Sequence, residues 1–344
     1  MLLKSNYTDF SFNPYIVNSY SKLALGFANN SINATSFRKN SIITHFNNDG
    51  SSFQYVAFYD PQGMIILGQK KNNESWFSLK TGLYGYTADA HNTISIMTDK
   101  IGYLHMAWSD HNGKLKYMRS QTPHSLIMRE CKMIGSLEDK ATYPEFYKLP
   151  SGNLIFLYRN GVSGNGNLVL NKYDSMSESW HRVHDNLISG EGVMSPYWQA
   201  TIDYNGRLHI SWVWRDTSDV ASNHDISYAM SEDSTMKCFV NSSNMSLALP
   251  ITAEQDVCIC HIPTSSALIN QTSMDTDEDN LPYILSYWRI DEIVQYNILK
   301  YNGSYWTVLD THIRNTDFKL SSKGTQQLPC ARPQLLVKGK KMQF

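Results

Sequence analysis

Apolar and polar residues alternate along most of this chain in short runs, each closed by a cluster of Gly, Asn, Asp or Ser. Period-two alternation bounded by turn residues predicts half-buried β-strands joined by hairpins. No stretch carries a long 3.6-residue apolar period, so no amphipathic helix of useful length is expected. The runs also repeat. Residues 99–119 read DKIGYLHMAWSDHNGKLKYMR, and residues 203–230 read DYNGRLHISWVWRD and then NHDISYAM. The same order returns at 149–174 (LPSGNLIFLYRNG, NGNLVLNKYD), at 277–301 (DEDNLPYILSYWRID, VQYNILKY) and, more weakly, at 49–71 (DGSSFQYVAFYDPQGMIILGQKK). Each copy is a turn, a strand ending in an aromatic, a polar gap and a second strand. Several copies close on a Trp: Trp76, Trp180 and Trp306.

Copies of short strands recurring about every 50 residues are the sequence mark of propeller blades. The period is too long for a β-helix, which leaves a β-sandwich as the other all-β arrangement such strands allow. The expected fold is therefore all-β, a β-propeller of four-stranded blades forming a single domain over residues 1–344. Five blades are counted. A sixth is expected to begin at ARPQLLVKGKKMQF, and the count leaves three arrangements: a ring of fewer than seven blades, a first segment that completes the last blade, or a ring left incomplete at the C-terminus.

Composition narrows the function. Charged residues make up only 18% of the chain, whereas 21 Tyr, 13 Phe and 8 Trp favour strands and sugar-stacking surfaces. A net charge of −1 offers no footprint for nucleic acid or for an anionic membrane. No run approaches the roughly 18 apolar residues of a membrane span. Five cysteines are too few, and odd in number, for a disulfide framework. The opening residues lack a basic start followed by an apolar run, so no signal peptide is expected there.

Chemistry gathers at the strand ends away from the turns. His91, in Asp89-Ala-His91-Asn92, precedes one strand, and His111, in Ser109-Asp110-His111-Asn112, follows its hairpin partner. Both imidazoles then reach one edge of one blade, and His is the side chain best matched to proton transfer near neutral pH. In the next copy Tyr143 begins the inner strand. Arg159 ends its partner, before a Gly-rich run that permits close approach of a ligand. Arginine grips a carboxylate with two hydrogen bonds. In the fourth copy Tyr197 and Trp198 open the blade and Arg215 follows. Tyr197 is expected to join the Tyr143 end, and Trp198 or Trp214 to stack on a sugar. Asn92, Asn112 and Arg215 complete the expected substrate contacts. His105 and His209 hold the same place in LHMAW and LHISW, which suggests blade packing. Cys258-Ile-Cys260-His261, with His209 and His224 upstream, offers soft ligands for a structural zinc, although two buried thiols in a strand would look the same.

The ordered series SINATSFRKNSIIT, DAHN, DHN, YPEF, YRNGVSGNG, WVWRD, NHDISYA and NQTSM resembles the bacterial neuraminidase-like repeat proteins that include the ulvan lyases of polysaccharide lyase families 24 and 25. The series is specific as a whole, and no single motif is. The resemblance implies a seven-bladed propeller and cleavage of ulvan by β-elimination. It implies a functional cluster of His91, His111, Tyr143, Arg159 and Tyr197, in which Tyr143 rather than Tyr158 is the acting tyrosine. It also implies a structural zinc, no cofactor for catalysis, an acidic polysaccharide as the partner of a monomeric protein, and a secreted or periplasmic location. Two other functions fit a propeller. One is a sialidase-like glycoside hydrolase, although the turns SMSESW and KNNESW are degenerate and no close Asp/Glu pair stands out. The other is a carbohydrate-binding propeller without catalysis.

Overall fold

The computed structural model describes residues 3–5, 20–34, 41–108 and 111–343. Ser109, Asp110 and residues 35–40 of the motifs above lie outside them. Among the described residues there is no α-helix, only strands, turns and short 3-10 segments.

The chain divides into two compact units. One comprises residues 12–160 and 170–182, and holds two whole sheets and most of a third. Taking β1 (Leu3–Ser5) as the first strand of the chain, the first sheet runs β2 (Ile42–Phe46), β3 (Ser52–Tyr59), β4 (Met64–Lys71) and β5 (Phe77–Tyr84). The second joins β6 (Ile94–Thr98), β7 (Leu104–Trp108), β9 (Tyr117–Ser120) and β10 (Met128–Glu130). The strand between them in sequence, β8 (His111–Gly113), leaves that sheet. It pairs instead with the inner strand of the third: β11 (Ala141–Lys148), β12 (Leu154–Val162), β13 (Asn165–Asp174) and β14 (Ser179–Ser189).

The other unit comprises residues 1–11, 161–169 and 183–344. It holds the sheet of β15 (Ser195–Ile202), β16 (Leu208–Arg215), β17 (Asn223–Ser231) and β18 (Phe239–Val240), with β19 (Cys258–Cys260) also paired to β17. Its second sheet runs β20 (Ser273–Thr276), β21 (Pro282–Ile290), β22 (Ile293–Tyr301) and β23 (Trp306–Asp310). Strand β1 adds to β23 in parallel as a fifth strand of this sheet. The expected start of a sixth blade is a hairpin of β24 (Leu336–Lys338) and β25 (Lys341–Gln343).

The five sequence copies share one local structure. In each, the turn between the first two strands is closed by two backbone hydrogen bonds in the same pattern. They span Asn47–Ser51, Asp99–Tyr103, Leu149–Asn153, Asp203–Arg207 and Asp277–Leu281. The fourth residue of every turn has positive φ, and it is Gly50, Gly102, Gly152, Gly206 or Asn280. Glycine, and less often asparagine, adopts that backbone at low cost. This is why the turns are the most legible part of the repeat. In three copies the opening Asp also accepts backbone N–H bonds across the turn, as Asp203 does from Asn205 and Arg207.

The cores are apolar side chains of facing strands. Tyr55, Leu67, Ile96 and Met106 meet in one unit, and Leu285, Ile298 and Leu309 in the other. The alternation expected throughout holds in β3. Strands β11 and β16, by contrast, are buried along nearly their whole length, because both of their faces are covered. All five cysteines are free thiols.

His105 and His209 are built alike. His209 is 1% exposed. Its Nδ1 meets the Tyr228 hydroxyl at 2.7 Å and its Nε2 meets Asp203 at 3.1 Å. His105 meets Tyr117 at 2.7 Å and Asp99 at 3.5 Å. A neutral ring that donates from Nε2 and accepts at Nδ1 satisfies both partners. Burial by itself would raise the Asp203 carboxyl. The bonds from His209 and Arg207 outweigh it and lower the group to about 2. A carboxylate depressed on folding adds stability above its unfolded pKa of 3.8, and that stability is lost as pH falls through about 2. Asp203→Asn is therefore expected to cost about 2 kcal/mol at neutral pH and to flatten the acid limb of stability, read by urea unfolding across pH.

Candidate active site

In each blade the inner strand runs toward the shared turn and its partner runs back. The start of the first and the end of the second therefore meet at the opposite end. Asp89, His91, His111, Tyr143 and Arg159 all lie at such ends within one unit.

Asp89 opens a tight turn. Its carboxylate accepts the His91 backbone N–H at 3.1 Å and also bonds the His91 Nδ1. Its second oxygen lies 2.5 Å from His111 Nδ1. The two imidazoles stack at 4.3 Å between centroids, 19° from parallel. Burial would raise the Asp89 carboxyl, but hydrogen bonds from His111 and His91 overcome it and hold the group well below the usual carboxylate range. Asn92 is buried and braces this turn. Its side-chain amide donates to the Asp89 carbonyl at 3.1 Å, and its own carbonyl accepts from the Tyr59 hydroxyl at 2.7 Å. The expectation of a substrate contact at Asn92 thus gives way to a supporting role.

His111 reaches the cluster by changing sheets. Strand β8 places it opposite Thr142, and the next residue, Asn112, donates its backbone N–H to the Thr142 hydroxyl at 2.7 Å. Asn112 has a φ of 53° and is exposed. A bulge follows between Thr142 and Glu145, and Tyr143 sits in it with a φ of 58°. Left-handed backbone is costly for an aromatic residue and concentrates at functional sites. The Tyr143 ring is 5.9 Å from His91, and the Arg159 guanidinium lies 5.4 Å from the same ring. Arg159 also donates to Thr142 Oγ1 at 3.2 Å. Thr142, which sequence reading missed, thus accepts from both Asn112 and Arg159. Tyr158 points elsewhere, its hydroxyl accepting from Arg182 at 3.3 Å.

The other unit repeats the Tyr–Arg pairing. Arg215 lies 5.0 Å from the Tyr197 ring, and the Tyr197 hydroxyl meets Ser163 Oγ at 2.7 Å. Arg215 also bonds the carbonyls of Ser218 and Asp219. Trp198 and Trp214 are 1% and 2% exposed. Both belong to the core, so neither presents a face to a sugar, as was expected of them.

The expected zinc ligands separate. Cys258 Sγ lies 3.4 Å from His261 Nδ1, and that nitrogen lies 3.5 Å from an Asp225 oxygen. These three donor atoms fall within 4.8 Å of one another. His224 bonds the other Asp225 oxygen at 3.0 Å and Asp216 at 3.2 Å, and these two carboxylates raise its pKa. Cys260 is buried on the same strand, and His209 is committed to Asp203 and Tyr228. Burial pushes the Cys258 thiol up to about 11 and Cys260 to about 12. Asp225, one residue beyond His224 in the same motif, is the ligand-type residue not anticipated.

Solved structures support what the sheets suggest. The fold matches a polysaccharide lyase family 25 ulvan lyase bound to -[GlcA(1-4)Rha3S]- with a TM-score of 0.72 at 15% identity, covering 92% of this chain and 77% of that one. A further polysaccharide lyase matches with a TM-score of 0.66 at 14% identity, covering 96% and 79%. At these identities the likeness speaks for the fold, an all-β propeller of four-stranded blades. The chain belongs to the BNR repeat-containing family, which it matches over residues 53–313. Among curated proteins it is 29% identical to the long isoform of ulvan lyase from Alteromonas sp. (strain LOR), over 29% of this chain and 14% of that protein. It is 28% identical to the long isoform from Pseudoalteromonas sp. (strain PLSV), over 40% and 19%. It thus spans less than a fifth of the length of either relative.

Proposed function

We propose that this protein is a polysaccharide lyase that cleaves a uronate-containing, ulvan-like polymer by β-elimination. The observation that carries this reading is the grouping of His91, His111, Tyr143 and Arg159 at one end of adjacent inner strands, around a carboxylate and a left-handed backbone position. The likeness to ulvan lyases in sequence and fold supports it.

Elimination breaks the C5–H bond of the uronate. The electron pair forms a C4=C5 double bond, the C4–O4 bond breaks, and O4 takes a proton. Negative charge builds on the carboxylate meanwhile, so a cation beside it lowers the barrier. Arg159 supplies that charge. His91 and Tyr143 carry the two proton transfers, at the C5 and O4 positions, and His111 orients the sugar. In the other unit Tyr197 and Arg215 are buried, as Trp214 is, and we assign that pair to bracing its strand ends rather than to the sugar. Such a polymer is met outside the cytoplasm, which places the protein in the periplasm or the medium.

The deciding experiment incubates purified protein with ulvan and follows both ultraviolet absorbance and reducing ends. Absorbance rising with reducing ends supports elimination. Reducing ends without absorbance would make it a hydrolase, and binding without either would make it a lectin-like propeller.

Cys258, His261 and Asp225 suit zinc by chemistry and spacing, and we propose them as its ligands, with His224 holding Asp225 from behind. The metal would brace β19 and take no part in the elimination. The expected zinc content is one ion per chain, lost in Cys258→Ala. Chelation is expected to lower unfolding stability by roughly 3 kcal/mol at an initial metal concentration a hundredfold over Kd.

A further inference from the structure

The Asp89 carboxylate has two oxygens, and each faces the Nδ1 of a different imidazole. An ionised carboxylate accepts hydrogen bonds and donates none, so both rings must carry their proton on Nδ1. That is the less common tautomer of a free imidazole, and it leaves Nε2 as the basic atom of each ring. The backbone N–H of His91 and the side chain of Asn92 fix the Asp89 turn, so the carboxylate itself is held in place. Tyr143 lies beside His91, and Arg159 lies beyond the phenol.

We propose that Asp89 is a positioning residue that sets the tautomer of both His91 and His111 with one carboxylate, leaving Nε2 as the basic nitrogen of each ring. This deepens the lyase reading and rests on it for its catalytic consequence. The arrangement differs from a single Asp–His pair because two imidazoles depend on one acceptor. An amide at position 89 offers one accepting oxygen in place of two, so it can hold at most one ring with its proton on Nδ1. Proton transfer from a wrongly protonated ring fails even though every catalytic side chain is present.

The test combines a spectroscopic and a kinetic arm, on the full chain. Long-range 15N–1H spectra of the histidine rings are recorded for wild type and for Asp89→Asn, with thermal unfolding to confirm the fold. The expected result is the Nδ1–H tautomer at both His91 and His111 in wild type, and its loss at one or both in Asp89→Asn. With ulvan, kcat of Asp89→Asn is expected to fall roughly 10²–10⁴-fold while KM changes little. Asp89→Glu, which keeps two oxygens, is expected to restore the tautomers in part and to recover some kcat. Nε2–H at both rings in wild type would overturn the proposal, as would tautomers unchanged in Asp89→Asn. Loss of both Nδ1–H signals on titration with zinc alone would overturn it in favour of a metal centre. The ring spectra need no turnover, so a protein inactive on every uronan would sink the lyase reading and leave the tautomer result standing.

Discussion

His91→Ala is expected to abolish the absorbance rise on ulvan, a loss of roughly 10²–10⁴-fold in kcat, while the protein remains folded. The reason is the position of the ring. It is partly exposed, stacked on His111, bonded through Nδ1 to Asp89 and beside Tyr143. With a proton held on Nδ1 by Asp89, the basic atom of the ring is Nε2. Little of the core depends on it, because the Asp89 turn is held by backbone bonds and by Asn92. Steady-state kinetics paired with thermal unfolding would check this. Arg159→Ala is expected to behave alike in kcat, but it removes a buried side chain bonded to Thr142, so its fold must be verified first. Normal turnover by folded His91→Ala would remove that residue from the scheme.

Tyr143→Phe is expected to reduce kcat by about 10²-fold or more, with Tyr158→Phe close to wild type. The two tyrosines lie on paired strands, and in the sequence only the family resemblance ranks Tyr143 over Tyr158. The structure separates them by environment. Tyr143 occupies a bulge at positive φ, with His91 on one side and Arg159 on the other. Both rings are buried, but the Tyr158 hydroxyl accepts from Arg182. Phenylalanine keeps the ring, so the packing and the bulge survive and only the hydroxyl is lost. If Tyr158→Phe were the inactive variant, the proton transfer would belong to that hydroxyl and the bulge at Tyr143 would be a packing feature.

The local grammar of this protein is written in its sequence. Hairpin turns demand a positive-φ residue at a fixed place, and glycine or asparagine stands there in every copy. The blade repeat was therefore readable from Gly102, Gly152, Gly206 and Asn280 without coordinates. The same logic separated His105 and His209 from the other histidines, since equivalent places in a repeat carry equivalent packing duties. What stayed hidden depends on neighbours far along the chain. Burial of Trp198 and of Asn92 is a property of what covers them, and an aromatic or an amide near a strand end looks the same in sequence whether it faces a sugar or the core. The move of His111 into the next sheet rests on a hydrogen bond from Asn112 to Thr142, thirty residues on. Asp89 and Asp225 gain their meaning only when two imidazoles, or a thiol and an imidazole, close around them. Periodicity and turn chemistry act over a few residues and so leave a trace in the sequence. Which side chains share one carboxylate is decided by the packing of distant segments, and only the tertiary structure could show it.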